Sequence, residues 1–495
     1  MLAFKAQNKR LNLLLCSMIG INLLFVLWTL FNSAIIACDD IEHLRAAYFV
    51  SIGDVPYRDF FEHHHPLLWY VLWPLIKVLP HSTILNIYIG RALSLLVSFG
   101  TGYYFYQIMR RFIGGKTVAL LAIVLYFASM PAWSSLINIK PDIYMRLFYF
   151  MGLYYLFLYF RYQKRCDLCI CGVAWTIGFL FLQTITLDVL PLVLPVGWFI
   201  YKNPAKIKDF AVAAILPLLL LMAFCGVLYY GGAWETYFET NWLFNSRLSS
   251  FLGSQSQRKY LVLFADIIFM AFAGVIYYLQ RSRKTKIYVA SLILLCGCEL
   301  LQRVFWVALF SQYFIMFFAF AAMIIAPLLY KVLRRYPFSI YLFIIFVILH
   351  ILFNWLCKRP FVFREQAFYY IEKNNVPLEQ TYGLNCAIYQ PHKAYYWMLL
   401  DVETLHDIYY NRGTNYDINR LLSDENIRFY CNPSFRNSII LQEKLEKMYD
   451  LTAAQKEILL RHKIDNVFFE QNYHPIENTK GLFEKKSAAT SSDNH

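Results

Sequence analysis

Charge is scarce in this sequence. Asp, Glu, Lys and Arg make up only 16% of 495 residues, against roughly a quarter in an ordinary soluble chain. With 59% apolar residues and a mean hydropathy of +0.43, that shortage excludes a soluble globular protein and selects the membrane class. A Gly-rich phosphate loop is also missing, which removes the usual nucleotide cradle. The eleven cysteines give no disulfide framework, since most lie inside apolar runs, where Cys behaves as a small hydrophobe. Cys166, Cys169 and Cys171 are spaced like metal ligands, but no His or further Cys stands near to complete a site. Cys386 and Cys431 can pair if their segment lies in an oxidising compartment.

The net charge of +14 does not indicate nucleic acid. From residue 358 onward acids and bases nearly cancel, so the excess belongs to the hydrophobic part. It falls there in short clusters: Arg110/Arg111/Lys116, Arg161/Lys164/Arg165, Lys202/Lys206/Lys208, Arg281/Arg283/Lys284/Lys286 and Lys331/Arg334/Arg335. Clusters of this kind mark the cytoplasmic ends of membrane spans.

On a ruler of about 20 apolar residues per span, the chain carries about eleven: near 11–37, 83–109, 117–133, 143–160, 168–184, 187–201, 210–230, 260–280, 287–302, 305–330 and 337–357. Residues 66–79 are apolar but short, and read as a re-entrant or interfacial helix. The run 11–37 ends in a lipoprotein-like box, Ile35-Ile36-Ala37-Cys38, yet it is too long for a signal peptide core and reads as a retained first span. An N-terminus in the cytoplasm makes the basic clusters consistent and places the C-terminal part outside. Every cytoplasmic loop is then about ten residues or fewer, too short for a nucleotide-sugar or ATP domain. The acids crowd the other face: Asp39, Asp40, Glu42, Asp54, Asp59, Glu62, Asp142, Glu235 and Glu239.

The fold expected is a polytopic α-helical membrane module over 1–357, with an outer loop at 38–66 bearing the chemistry. A small extracytoplasmic α/β domain over 358–484 and a disordered tail at 485–495 follow. In the C-terminal part the short apolar runs Cys386–Tyr389, Ile427–Tyr430 and Asn466–Phe469 read as strands, alternating with helical patterns at Tyr416–Leu422 and Leu441–Arg461.

Adjacent acids at the exit of a span, Asp39-Asp40, sit where the dielectric falls and like charges crowd, which favours a general base. They are equally well placed to cap the amphipathic helix that begins near Ile41. Asp142, after Lys140-Pro141, suits the N-terminal end of a helix dipole. Glu62, His63, His64 and His65 could bind a divalent cation, although consecutive residues point apart and cannot all reach one ion.

Asp39-Asp40-x-x-His43, then Gly53-x-x-Pro56-Tyr57-Arg58-Asp59-Phe60-Phe61-Glu62-His63-His64-x-Pro66, then Lys140-Pro141-Asp142, together resemble the GT-C glycosyltransferases. The nearest likeness is to the bacterial dolichyl-phosphate-mannose-protein-mannosyltransferase-like group, which includes aminoarabinose transferases acting on lipid A. The resemblance implies a multi-pass enzyme of the bacterial inner membrane, N-terminus in the cytoplasm and C-terminal domain in the periplasm. It implies transfer of a hexosyl or pentosyl unit from a polyprenyl-phosphate donor to a lipid, glycan or protein acceptor, among membrane lipids and without nucleic acid. No cofactor is required, or else a divalent cation.

By that likeness Asp39, Asp40 and Asp142 carry catalysis, with Asp39 as the base of an inverting single displacement. Arg58, Lys140, Arg247 and Arg303, cations of the outer side, are expected to bind the donor phosphate, and His43, Tyr57, Asp59, Gln312 and Tyr313 are expected to contact substrate. The sequence departs from the group where its second acid is often Glu, here Asp40. The Lys-Pro or Pro-Pro after the loop is His65-Pro66, and the Gln-Lys near the fifth span is Gln183-Thr184. A secondary transporter or a non-catalytic, flippase-like assembly subunit are the rival classes. Transporters place ionisable residues near the midplane, whereas Asp266 is almost the only acid deep in a span.

Overall fold

A computed structural model describes residues 2–32, 38–79, 81–129, 136–246, 286–305, 314–357, 362–383, 417–424, 426–431, 452–461, 464–477 and 481–486, with 389, 391, 406 and 479 besides. It is a helical membrane protein that carries a small sheet. Among the described residues, six helices are long and apolar enough to cross a bilayer: Asn8–Phe31, Thr83–Ile113, Pro141–Tyr162, Ile185–Lys202, Pro204–Tyr230 and Ile315–Arg335. Leu67–Val78, Gly115–Phe127 and Ser339–Leu352 are shorter apolar helices. The expected span at 260–280 and the box at Ile35–Cys38 fall on or beside residues outside the described ones. The stretch 168–201, barely long enough for two spans, forms a 17-residue helix, Arg165–Phe181, and a second segment broken by a 3-10 turn at Leu190–Leu192. Residues 66–79 form a short helix rather than a span, with Pro74 inside it.

The chain divides into two compact units. The first comprises Met1–Phe31, Ala92–Val227 and Arg247–Arg359. Its central helix, Pro141–Tyr162, starts with Pro141 where a missing N–H is harmless and Asp142 meets the positive end of the dipole. It stops where Gln163 turns left-handed at φ 55°. Gly152 lets the next helix close in, because a Cβ there would lie 2.2 Å from the Trp175 indole nitrogen, which donates to the Tyr149 carbonyl at 3.2 Å. Helix Ile315–Arg335 is buried along most of its length against Gly115–Ala128 and Lys286–Phe305. Pro204–Tyr230, in contrast, leaves Leu218, Leu219 and Met222 exposed, as a lipid-facing helix must.

The second unit gathers Asn32–Arg91, Leu228–Ser246 and Pro360–His495. Contacts therefore group the first loop and a second short stretch with the C-terminal part. Helix Cys38–Ser51 packs on Leu67–Val78, joined by an irregular loop. The C-terminal part carries a four-stranded mixed sheet in the order β1 (Thr381–Tyr382), β2 (Phe429–Cys431), β4 (Leu482–Lys485), β3 (Tyr473–Pro475). The β1–β2 pair is parallel and the other two are antiparallel. Strand β2 alternates faces as a strand must. Tyr430 joins a core with Ile418, Leu422, Phe469 and Tyr473, while Phe429 and Cys431 face Ala367, Ile371 and Leu482.

The expected strand at Ile427–Tyr430 matches β2, and the helix expected at Tyr416–Leu422 is found at Ile418–Ser423. Asn466–Phe469, read as a strand, is the start of helix Asn466–Asn472. Asp465 decides this by accepting hydrogen bonds from the Val467 and Phe468 amides, a strong N-cap. Most of Cys386–Tyr389 and the first part of Leu441–Arg461 lie outside the described residues; Ala453–Arg461 is helical. Cys431 is disulfide-bonded, and Cys386 lies outside the described residues.

Candidate functional site

The first-loop helix Cys38–Ser51 opens with Asp39 and Asp40 in its first turn. Successive helical residues point about 100° apart, and the two acids meet different surroundings. Asp40 is fully buried; its Oδ2 accepts from Arg91 Nη2 at 2.6 Å and from Nε at 2.9 Å. Asp39 is half-buried. One turn on, Glu42 and His43 are buried, as is Arg45, whose Nη2 donates to the Gly383 carbonyl at 3.3 Å.

The loop that follows is tightly turned. Gly53 (φ 101°) and Tyr57 (φ 69°) both adopt left-handed backbone, and a bulky residue held there is found where surrounding contacts enforce it. Tyr57 is enforced by its buried ring and by its hydroxyl, which donates to the His64 carbonyl at 2.6 Å. Burial, with Tyr237 and Glu62 nearby, pushes the Tyr57 phenol well above its ordinary value. Asp59 accepts from the Val55 amide at 2.7 Å and holds Arg58 in a two-pronged pair at 2.9 and 2.7 Å. The remaining arm of Arg58 donates to the Gly231 carbonyl at 3.0 Å.

Residues 62–65 form an irregular stretch with a bend at His64, and their side chains reach two sets of neighbours. Glu62 and His64 turn one way. Glu62 Oε1 accepts from His64 Nδ1 at 2.8 Å and from the His63 amide at 2.9 Å. His63 and His65 turn towards the stretch Leu228–Ser246. His63 Nδ1 lies 2.7 Å from Asn245 Oδ1, and the Asn245 amide donates back to the His63 carbonyl at 2.8 Å. That fixes the Asn245 orientation and makes Nδ1 of His63 the protonated nitrogen. His65 Nε2 meets the Tyr237 hydroxyl at 3.0 Å. Burial would raise the Glu62 carboxyl, but His64, with His63 and His43 adding, draws it down to about 2. Burial first, then His64, lowers the His63 imidazole to about 3, so its ring stays neutral.

The expected metal set is thus divided. Glu62 and His64 meet Glu42 and His43, their four donor atoms all within 4.8 Å of one another, while His63 and His65 belong to the loop's tether. His64 Nδ1 stands 3.5 Å from Glu42 Oε1, and His43 Nδ1 stands 3.9 Å from it. Two carboxylates and two imidazoles suit a first-row divalent ion, whose ligand atoms lie about 2.0–2.2 Å from the metal.

Other predicted residues fall elsewhere. Asp142 and Lys140 belong to the other unit, Lys140 buried and Asp142 half-buried at a helix start, with Arg146 Nε donating to the Asp142 carbonyl at 2.8 Å. Arg247, Gln312 and Tyr313 lie outside the described residues; Arg303 is in helix Lys286–Phe305, but its side chain is outside them. Sequence reading missed Arg91, Asn245 and Tyr237. The signal for Arg91 was present: one charge in the apolar run 83–109 must find a partner.

Residues 63–230, about a third of the chain, match the family of dolichyl-phosphate-mannose-protein mannosyltransferase. The resemblance to the GT-C glycosyltransferases is borne out. The match begins inside the histidine run and passes through Lys140-Pro141-Asp142. No curated protein matches the chain by sequence. Among solved structures, ArnT from Cupriavidus metallidurans in the apo state is 12% identical with a TM-score of 0.47, covering 90% of this chain and 74% of that one. The same protein bound to undecaprenyl phosphate gives 10% and 0.43 over the same shares. The Archaeoglobus fulgidus oligosaccharyltransferase complex with Zn and sulfate gives 14% and 0.47, covering 73% of this chain and 56% of that one.

Proposed function

We propose that this GT-C-like chain moves one sugar from a polyprenyl-phosphate carrier to a hydroxyl acceptor on the non-cytoplasmic side of a bacterial inner membrane, with Asp39 as base. The observation that carries the reading is the contrast between adjacent acids: Asp40 is buried on Arg91, while Asp39 opens the same helix in a half-exposed position. A base must reach substrate, and the carboxylate of Asp40 is engaged by Arg91 instead. The acceptor oxygen attacks the anomeric carbon, its proton passes to Asp39, and the bond to phosphate breaks with inversion. Polyprenyl phosphate departs as a stable anion, so the leaving group needs cations more than an acid.

Asp142 orients the acceptor, and Lys140, Arg247 and Arg303 meet the donor phosphate; Arg58 contributes less, since Asp59 and Gly231 engage it. A divalent cation would be held by Glu42, His43, Glu62 and His64, and would supply positive charge to stabilise a departing phosphate. The disulfide at Cys431 supports an oxidising compartment for the C-terminal part. An envelope glycolipid or glycan is the preferred acceptor.

The test is transfer of label from radiolabelled polyprenyl-phosphate sugars by purified protein in lipid, given a membrane-lipid extract. Wild type transfers and Asp39→Asn does not, though it still binds carrier. Full transfer by Asp39→Asn overturns the mechanism.

A further inference from the structure

Several helix ends of the first unit converge and carry a charge that the proposed reaction does not use. Arg161, in the last turn of Pro141–Tyr162, donates to the Arg111 carbonyl at 3.1 Å, joining that end to the π-helical turn Met109–Ile113. Tyr159 donates to Asp209 at 3.0 Å, and Arg165 and Lys206 close on the same carboxylate. That ties in the starts of Arg165–Phe181 and Ile207–Tyr230. Phe199 packs on Phe160 with ring centroids 5.0 Å apart, bringing in the end of Val193–Lys202.

Arg110, Arg111, Arg161, Lys164, Lys202 and Lys208 are all exposed at this end. The two acids described there, Asp167 and Asp209, are buried, and Asp209 is already held by Arg165 and Lys206. Like charges gathered without an exposed acid repel one another unless an anion settles among them. The level of the patch is marked by aromatics. Lys202 lies over exposed Trp198 at 4.9 Å and over exposed Tyr201 at 5.2 Å, and Arg111 lies over Tyr154 at 5.5 Å. Trp and Tyr in such positions belong to the headgroup layer. Apolar residues exposed on the adjoining helix, Leu216 and Leu219 among them, make the neighbouring medium hydrocarbon rather than water.

We infer that this end binds anionic phospholipid, the headgroup phosphate seated by Arg110, Arg111, Arg161 and Lys164. Guanidinium forks pair with phosphate in two-pronged fashion, and basic pockets between membrane helices take acidic headgroups. The site is independent of the sugar-transfer reading, since none of these residues serves that reaction.

Full-length protein in neutral detergent is titrated with dioleoyl-phosphatidylglycerol, with dioleoyl-phosphatidylcholine and with inorganic phosphate, and bound lipid is counted by native mass spectrometry. Phosphatidylglycerol binds selectively. A triple variant, Arg110→Gln with Arg111→Gln and Lys164→Gln, weakens it about a hundredfold, at about fivefold per basic residue. Charge-conserving Arg110→Lys with Arg111→Lys binds more tightly than the triple variant but less tightly than wild type, because the charge stays and the fork is lost; Lys456→Gln with Arg461→Gln, in the other unit, leaves binding as in wild type. Equal retention of both lipids, undiminished phosphatidylglycerol binding in the triple variant, or equal competition by free phosphate overturns the inference.

Discussion

Asp40 and Arg91 lie 51 residues apart in sequence and meet at 2.6 Å with neither side chain more than 1% exposed. The pair fixes the start of the first-loop helix to the start of Thr83–Ile108. Removing one partner of a buried pair leaves a lone charge out of water, at a cost of about 3–5 kcal/mol. Arg91→Met therefore lowers the unfolding free energy of detergent-purified protein by about that amount. Asp40→Leu combined with Arg91→Met costs less than Arg91→Met alone. A double variant as unstable as the sum of the singles contradicts direct pairing.

The two acids of the pair separate by what they lose. Asp39→Asn keeps wild-type stability and loses about 10²–10⁴-fold in transfer rate, the range of a general base. Asp40→Asn loses stability as well as rate, and its rate recovers in part on cooling or in stabilising lipid. Comparing rate with thermal midpoint for the two variants distinguishes chemistry from support. Equal losses of stability in both would make Asp39 a structural residue too.

How much of this was legible beforehand depended on distance along the chain. Long apolar runs gave the helices Asn8–Phe31, Pro141–Tyr162, Pro204–Tyr230 and Ile315–Arg335, because a span is a local property of composition. The loop motif gave Asp39, Tyr57, Asp59 and Glu62 as a group. Partner choice was not local. Nothing near Asp40 in sequence names Arg91, and nothing in the histidine run names Glu42 and His43, which arrive from the preceding helix. The split of His63 and His65 from Glu62 and His64 was not legible either, because it is set by partners distant in sequence, Asn245 and Tyr237 on one side and Glu42 and His43 on the other. Asn466–Phe469 misled because its apolar residues suit a strand, while the deciding residue, Asp465, stands outside the run.

Divalent-cation binding tests the regrouped cluster. Titrated calorimetrically with zinc or manganese at neutral pH, wild type takes up one ion per chain. Glu42→Gln and His64→Ala each weaken it at least tenfold, as loss of a direct ligand must when outer partners alone are worth about 10–100-fold. His65→Ala leaves affinity unchanged, its ring being held by Tyr237. Weakening by His65→Ala together with indifference to Glu42→Gln would restore the contiguous histidine site expected from sequence.

Two glycines with left-handed backbone give a last contrast within the second unit. Gly53 (φ 101°) and Gly383 (φ 114°) both hold a positive φ that L-residues rarely adopt and glycine adopts freely. Their surroundings differ. A Cβ at Gly53 meets nothing within 4 Å, whereas one at Gly383 would lie 2.3 Å from the Cys431 carbonyl oxygen on β2. Backbone cannot swing aside as a side-chain tip does, so Gly383→Ala must part β1 from β2 or shift the segment that follows. Its carbonyl also accepts from Arg45, on the helix that carries Asp39, and the displacement reaches that helix. Gly53→Ala then costs only the conformational part, while Gly383→Ala costs at least twice as much and reduces transfer rate as well as thermal midpoint. Equal destabilisation by the two substitutions would mean that the approach to Cys431 relaxes without strain, and that the sheet does not brace the first-loop helix through Gly383.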